Sequence, residues 1–273
     1  MAEAPDWLSL CRRVVKAQRE VFASHSGIAA RTVYDGIGEG GDHALVIDRR
    51  CEDCVFAELE WVAAEGLPLT AISEERGRVE LGGGGPPVVV VDPLDGSLNA
   101  RRTLPTHSLS LAVAGGELVG DVEFGYVYDF GAGDEFTATA GAGARLNGEP
   151  LAPPVHDGLE VVGVESAEPG WLLPVLEGLR DHVYRVRAVG SIAVSLSYVA
   201  AGRFDGMLST RAARSVDVAA GQLIVREAGG RVSFEGHGLD GAGLGLEERY
   251  QVAAALGAGG LETLLAAQQG VRA

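Results

Sequence analysis

The sequence VVVVDPLDGSLN, residues 88–99, carries the features around which the rest of the chain is organised. Four consecutive valines predict a strand that is buried on both faces, because a strand with a solvent-exposed face rarely carries such a run. Asp92 and Asp95 follow, separated by Pro93, whose fixed φ suits a tight turn. Carboxylates at the end of a buried strand suit a hard divalent cation, and the backbone N–H groups of a following helix suit a phosphate. The stretch therefore predicts a cation and phosphate site, with a short helix beginning around Asn99.

Two other segments contribute acidic residues that strengthen this prediction. Glu74 and Glu75 follow the strand-like run LPLTAIS, and Asp217 stands before the helix-like run VAAGQLIVREAGG. An Asp-Pro and Asp-Gly turn alone is often no more than a turn. Acids from three segments are costly to bring together unless a cation neutralises them, so the combination favours a metal site.

The composition indicates a folded, negatively charged α/β protein. The chain has 273 residues, 47% of them hydrophobic, with 40 glycines and a net charge of −16. Such a charge argues against nucleic acid and anionic membranes as partners. No apolar run approaches the length of a membrane span, and the N-terminus lacks the pattern of a signal peptide. Three cysteines, an odd number, favour a reducing, cytoplasmic location.

Cys51 and Cys54 form a CxxC pair that requires a separate interpretation. Both fall on the same predicted helical face as Val55, Leu59 and Val62. This spacing favours buried core thiols over a redox or zinc site, which would need a second pair of ligands.

The pattern along the chain predicts alternating helices and strands in two halves. Residues 1–150 form an α+β half with the first metal motif and an antiparallel sheet, and residues 151–273 form an α/β half with the second metal motif. The boundary falls at Leu151–Gly158, which contains Pro153 and Pro154. The predicted helices are Asp6–His25, the cysteine helix starting at Asp48, Trp171–Leu179, Ile192–Ala201, the run after Asp217 and Leu261–Ala267, and the predicted strands lie within Ser108–Ala140 and at Leu159–Val164, Arg185–Ala188, Phe204–Leu208, Arg231–Phe234 and Gln251–Ala255.

These motifs resemble those of the inositol monophosphatase and fructose-1,6-bisphosphatase superfamily of Mg²⁺-dependent, Li⁺-sensitive phosphatases. The first family signature, DP(I/L)DG(T/S)xN, is matched at residues 92–99, and the acidic pair upstream is matched by Glu74 and Glu75. The second signature, usually WDxAAG, is similar to residues 216–221, and residues 190–206 resemble the phosphate-side helix segment. The resemblance covers the chain from about Gly40 to its end. It implies a layered αβαβα sandwich and a cytoplasmic homodimer with two or three Mg²⁺ ions per subunit.

The resemblance also implies a role for individual residues. Glu74, Asp92 and the Leu94 carbonyl would hold one Mg²⁺, and Asp92, Asp95 and Asp217 a second. Ser97 would orient the attacking water, with Asp48 or Glu75 accepting its proton, although Asp48 is also an ordinary helix N-cap residue. The implied substrate-binding residues are Asp95, Gly96, Ser97, Gly190, Ser191, Arg187, Asp205, Arg211 and Arg214. Each arginine could instead be a surface residue, Asp205 could simply close a turn, and Ser97 could cap a helix.

Details of the motifs resemble the archaeal-type, dual-specificity branch. Ala100 stands where inositol phosphatases usually carry an aromatic residue, Ser73 replaces a glycine and Val216 a tryptophan. Where those enzymes place a sugar-binding acid, this chain has residues 209–211, Ser-Thr-Arg. The implied function is hydrolysis of inositol-1-phosphate, fructose-1,6-bisphosphate or both. Phosphatases of other sugar phosphates or 3′-phosphoadenosine 5′-phosphate, and a catalytically silent phosphosugar-binding relative, remain as alternatives.

Phosphatases that form an aspartyl-phosphate are a different class with an acid-rich strand end. They need two acids in a DxD arrangement and a downstream lysine. Here Asp92 and Asp95 are three apart, and Lys16, the single lysine, lies far upstream. This spacing excludes that class.

Overall fold

The computed structural model describes residues 5–37 and 43–269. Its elements up to the end of the first sheet are α1 (Trp7–Ser24), α2 (Ile28–Arg31), β1 (Tyr34–Ile37), β2 (His43–Leu45), α3 (Val46–Ala64), β3 (Leu69–Ser73), β4 (Gly77–Leu81), β5 (Val88–Asp95), α4 (Ser97–Arg101), β6 (Ser108–Ala114), β7 (Val122–Asp129), β8 (Asp134–Thr139), β9 (Gly143–Leu146) and β10 (Glu149–Pro150). The later elements are β11 (Val161–Glu165), α5 (Pro169–Leu179), β12 (Arg185–Arg187), α6 (Ile192–Ala200), β13 (Gly206–Ser209), β14 (Ala213–Arg214), α7 (Ser215–Glu227), β15 (Arg231–Phe234), β16 (Arg249–Tyr250), β17 (Val252–Ala255) and α8 (Ala258–Gln269).

The valine strand β5 lies inside an eight-stranded sheet of order β10-β9-β8-β7-β6-β5-β3-β4. All eight of its residues are buried. Val89 and Val91 pack in the core formed with α1 and α3, whereas Val88 and Val90 pack in the core formed with α6 and α7. The predicted burial on both faces is confirmed, because helices cover the sheet on each side.

The second sheet has five strands in the order β12-β11-β13-β17-β15. Its inner face shares the core of α6 and α7, and its outer face packs on α5 and α8. The layers therefore run from α1 and α3, through the first sheet, α6 and α7 and the second sheet, to α5 and α8. The predicted αβαβα sandwich is confirmed. The division into halves at residues 150 and 151 stays a prediction.

Several local expectations differ from the structure. Helix α3 begins at Val46, so Asp48 is its third residue and not its N-cap. The helix after the first motif begins at Ser97, two residues before the expected position. Cys51 is fully buried as expected, but Cys54 is only half-buried and lies toward the edge of that face.

Residues 5–37 and 43–269 contain no helix that is both long and apolar enough to cross a membrane.

Candidate active site

The candidate site lies where the parallel strands β3 and β5 end together. Ser73 is level with Val91 in that pair, so Glu74 emerges beside Asp92. Helix α7 packs against β5 and supplies Asp217 from its first turn. One carboxylate oxygen from each of Glu74, Asp92 and Asp217 lies within 4.8 Å of the other two. The three predicted segments are therefore brought together.

The turn after β5 is shaped by Asp92 and Gly96. The Leu94 N–H donates to Asp92 Oδ1 at 2.9 Å, which closes the Asp-Pro-Leu turn. Gly96 has a φ of 84°, and a Cβ there would lie 3.0 Å from the carbonyl oxygens of Gly190 and Thr106. Glycine is thus required both by conformation and by the close approach of two chain segments. Because no side chain caps α4, the alternative role of Ser97 as a helix cap is wrong.

Asp95 connects the first motif to helix α6. Its Oδ2 accepts hydrogen bonds from Ser191 Oγ at 2.6 Å and from the Ala193 N–H at 2.8 Å. The Gly190 N–H donates to Glu165 at 2.8 Å. The Gly190 and Ala193 N–H groups are therefore occupied by two buried carboxylates, which need such donors. The expectation that Gly190 and Ser191 contact the phosphate stays a prediction.

The acid cluster is strongly perturbed by its surroundings. Burial raises the pKa of Glu74 to about 8 and the pKa of Asp95 to about 7. Burial, followed by the charges of Glu74, Asp95 and Asp217, raises the pKa of Asp92 well above its usual range. Several carboxylates close together out of water disfavour ionisation, and a bound cation would reverse this effect.

Arg214 supplies the positive charge inside this cluster. Its Nη1 lies 2.6 Å from Glu74 Oε1 and its Nε 3.6 Å from Asp217 Oδ1, and its backbone N–H donates to Asp217 Oδ2 at 2.9 Å. The side chain is mostly buried. Arg214 was expected to be a phosphate ligand or a surface residue, and the structure places it as a partner of two acidic residues.

A cleft of about 140 Å³ opens over the cluster. Asp48 Oδ1 and Glu75 Oε2, from residues that line this cleft, are buried and accept no hydrogen bond within the described part of the chain. Asp217 Oδ1 likewise accepts no hydrogen bond there, but it lies 3.6 Å from Arg214 Nε, and Asp217 lines a neighbouring cavity. Burial raises the pKa of Asp48 to about 6 and the pKa of Glu75 to about 7. Oxygen donors without partners, arranged around a cluster of carboxylates, fit a hard divalent cation and its water ligands. The cleft is lined by Asp48, Glu74, Glu75, Asp92, Pro93, Leu94, Ser97 and Arg214.

The remaining substrate-binding candidates fall into two groups. Arg211 lines a neighbouring cavity of about 330 Å³ together with Arg214 and Asp217. Arg187 is exposed on β12 and donates to the Val186 carbonyl of its own strand. Asp205 lies at the opposite end of β13, where its carboxylate accepts the N–H groups of residues 160 and 161 at 2.6 and 2.7 Å. The structure brings Arg211 near the site but not Arg187 or Asp205. Asp205 does not close a turn either, because its carboxylate joins the start of β13 to residues 160 and 161 at the start of β11.

Sequence reasoning missed buried polar residues that support the site. Glu165 is 1% exposed and accepts the N–H groups of Val189 and Gly190. Gln18 is fully buried, and its amide donates to the Pro93 carbonyl at 2.9 Å. Glu165 ends a buried strand as Asp92 does, and this signal could have identified it. No local pattern indicates that Gln18, on an amphipathic helix, reaches residue 93.

The inositol monophosphatase family model matches residues 8–270 of this chain. The fructose-1,6-bisphosphatase/inositol-1-monophosphatase of Methanothermobacter thermautotrophicus is 35% identical over 230 residues, which cover 80% of this chain and 81% of that protein. The Nus factor SuhB of Escherichia coli is 38% identical over 171 residues, covering 60% and 62% of the two chains. A solved inositol monophosphatase–fructose 1,6-bisphosphatase has the same fold, with a TM-score of 0.83, 24% identity and coverage of 96% and 100%.

Proposed function

Since the chain belongs to the inositol monophosphatase family, we propose that it is a Mg²⁺-dependent phosphomonoester hydrolase acting on inositol-1-phosphate, fructose-1,6-bisphosphate or both. The observation that carries this proposal is the convergence of Glu74, Asp92 and Asp217 oxygens within 4.8 Å of one another. The buried oxygens of Asp48 and Glu75 beside them support it, because they have no hydrogen-bond partner among the described residues. A purely structural role leaves this costly arrangement unexplained.

We propose that two overlapping sets of oxygens hold the metal. Glu74, Asp92 and the Leu94 carbonyl form the first set, and Asp92, Asp95 and Asp217 form the second. When bound, Mg²⁺ lowers the pKa of a water ligand and neutralises charge on the phosphoryl and leaving oxygens.

The protein's own groups then orient the reactants. Ser97 lines the cleft with Asp48 and Glu75, and in this proposal its hydroxyl orients the attacking water while one of the two carboxylates accepts the proton. The pKa values of about 6 for Asp48 and about 7 for Glu75 suit such a base near neutral pH. The backbone N–H groups at Gly96 and Ser97 lie where the chain enters α4 and would contact the phosphate.

The choice of substrate depends on the segment at residues 209–211. Ser209 and Thr210 are buried, and the hydroxyl of Thr210 donates to the Ser166 carbonyl at 2.5 Å. Arg211 is the member of this segment that faces the neighbouring cavity. A guanidinium there favours a substrate with a second phosphate, which supports fructose-1,6-bisphosphate as a substrate at least as good as inositol-1-phosphate.

A phosphate-release assay over a panel of substrates tests the proposal. The panel contains inositol-1-phosphate, fructose-1,6-bisphosphate, other sugar phosphates and 3′-phosphoadenosine 5′-phosphate. We expect release that needs Mg²⁺, is abolished by EDTA and is inhibited by Li⁺. Full activity in EDTA after dialysis would contradict the metal assignment. Binding of sugar phosphates without release would instead support the silent relative.

A further inference from the structure

Another buried carboxylate, that of Glu52, contacts the residues on either side of the acidic pair Glu74–Glu75. The pair occupies the hairpin turn between β3 and β4, where Ser73 and Gly77 are opposite each other. Two adjacent acids in such a turn repel one another and also the nearby Asp48, Asp92 and Asp217. A turn with this charge needs specific contacts to hold Glu74 beside Asp92.

Glu52 provides contacts on both sides of the pair. Its Oε1 accepts a hydrogen bond from Ser73 Oγ, immediately before the acids, and another from the Arg76 N–H at 3.1 Å, immediately after them. Glu52 is fully buried on α3, and the apolar residues of that helix pack in the core beside the first sheet. One rigidly placed carboxylate therefore holds the residues that flank the acidic pair.

The charge of Glu52 is balanced away from the cleft. The Arg76 guanidinium lies 3.5 Å from Glu52 Oε2 and 2.6 Å from Asp53 Oδ1. The same guanidinium stacks on Phe56, with its central carbon 4.1 Å from the ring centroid. Glu52 is accordingly an internal support and is not among the residues that line the cleft, whereas Glu74 and Glu75 are.

We propose that Glu52 and Ser73 form a positioning pair that holds the Glu74–Glu75 turn in place and thereby sets the affinity of the cleft for a divalent cation. This inference rests on the proposed function. It assigns a role to Glu52, one of the two acidic residues inside the CxxC sequence, and to Ser73, which stands where the family usually has glycine. Supporting hydrogen bonds of this kind orient ligands and contribute strongly to metal affinity.

The test measures cation binding by the full chain without substrate, using calorimetric titration with Mn²⁺ and Mg²⁺. Glu52→Met removes the acceptor at similar size, and we expect the dissociation constant for the cation to rise about tenfold. Ser73→Ala removes one donor and should weaken binding less. Glu52→Gln keeps an acceptor oxygen and should bind close to wild type. Glu52→Met and Ser73→Ala disrupt the same contact. The dissociation constant of the double variant should therefore rise by less than the product of the two single-variant factors.

Asp129→Leu is the matched control. Asp129 is also a buried carboxylate, and it accepts the Gly131 and Ala132 N–H groups and the Tyr198 hydroxyl. Its loss should lower the melting temperature without changing cation affinity. Three results would each overturn the proposal. The first is wild-type cation affinity in both Glu52→Met and Ser73→Ala, and the second is an equal loss of cation affinity in Glu52→Gln and Glu52→Met. The third is a loss of cation affinity in Asp129→Leu as large as that in Glu52→Met.

Two further features keep the test decisive. If Glu52→Met does not fold, Ser73→Ala decides the outcome, because it deletes only one hydroxyl. The proposed function fails if wild type releases no phosphate from any substrate, whereas this inference fails if the variants bind the cation as wild type does. The Mg²⁺ concentration that gives half-maximal activity should rise in the variants by a larger factor than kcat falls at saturating Mg²⁺. This is the pattern expected for a residue that positions the metal ligands.

Discussion

At the scale of single residues, the proposal gives the Asp95 carboxylate two tasks, one in the cation site and one in the scaffold. Its Oδ2 is occupied by Ser191 and Ala193, which anchors the start of α6. The structure gives no such hydrogen bond to its other oxygen among the described residues, and the proposal assigns that oxygen to the second cation site. The two oxygens can therefore be separated by substitution.

Asp95→Asn tests this division of tasks. The amide oxygen can accept both hydrogen bonds from α6, while the metal-binding charge is lost. We expect kcat to fall by about 100-fold or more. The melting temperature in EDTA should stay equal or rise, because one of several crowded acids is gone.

Asp95→Ala is the contrasting variant. It removes the acceptor as well, so it should lose both activity and stability. Turnover near wild type in Asp95→Asn would show that the ligand assignment is wrong.

Cys51 is a second residue-scale case, because its thiol is fully buried against Leu45, Ile47, Leu94 and Ala100. Burial raises the pKa of this thiol well above its usual range, which makes it unreactive. Cys51→Ser should lower the free energy of unfolding by about 1–3 kcal/mol, because a buried hydroxyl needs a partner. Phosphatase activity should be unchanged. Denaturant unfolding and initial-rate assays measure the two effects.

Cys54→Ser is the control for this prediction, since that thiol is only half-buried. It should cost less stability than Cys51→Ser. Loss of activity at unchanged stability in either variant would instead indicate a redox role for the CxxC pair.

At the scale of elements, the site is produced by the ends of β3 and β5 and the first turn of α7. Parallel pairing of the two strands brings their carboxyl ends to one edge. The segment between β13 and β14 then runs past that edge and carries Arg211 into the neighbouring cavity. The proposed catalytic and specificity residues thus come from different elements and can be changed separately.

Arg211→Ala tests the contribution of that segment. The Arg211 side chain is exposed, and its contacts are long, at 3.8 Å to Glu168 and 5.9 Å to the Trp171 ring centroid, so it can turn toward a ligand at small cost. We expect KM for fructose-1,6-bisphosphate to rise about tenfold, as for a lost charge-assisted hydrogen bond. KM for inositol-1-phosphate should change little.

Arg187→Ala serves as the control, because Arg187 is an exposed arginine bonded to its own strand. It should leave both KM values unchanged. Equal effects of Arg211→Ala on the two substrates would mean that Arg211 is a surface residue, and a strong wild-type preference for inositol-1-phosphate would overturn the substrate choice.

At the scale of the whole molecule, the buried acids make stability depend on pH and on metal. Glu74, Glu75, Asp95 and Asp48 have pKa values raised to between about 6 and about 8, from ordinary values of 4.5 for Glu and 3.8 for Asp. At pH values between the ordinary and the raised pKa values, the unfolded chain has lost protons that the folded chain retains. Stability of the metal-free protein should therefore fall as pH rises through this window.

The prediction is a melting temperature in EDTA that decreases from pH 5 to pH 8. Mg²⁺ should raise the melting temperature more at pH 8 than at pH 5, because protons compete with the cation for the same oxygens. Calorimetric scans at both pH values measure this. Glu74→Gln should flatten the dependence, and a metal-free melting temperature that increases over this range would contradict the assignment.

Features that depend only on residues close together in the sequence could be predicted from the sequence itself. Four valines in a row predict a strand that is covered on both faces, and the structure confirms this for residues 88–91, whereas the αβαβα layering was implied by the family resemblance. The order and spacing of the acid motifs likewise indicated a cation site. Helix Asp6–His25 was close to its observed bounds because apolar periodicity is a local property.

Contacts between distant segments depended on the tertiary structure. Arg214 pairs with Glu74, and Ser73 donates to Glu52. The Ala193 N–H donates to Asp95, and the Gly190 N–H donates to Glu165. None of these pairings follows from spacing along the chain. Each depends on the register of parallel strands and on how helices pack across the sheets. Those relations are set by burial of the whole core, so the identity of the acids was readable from the sequence while their partners were not.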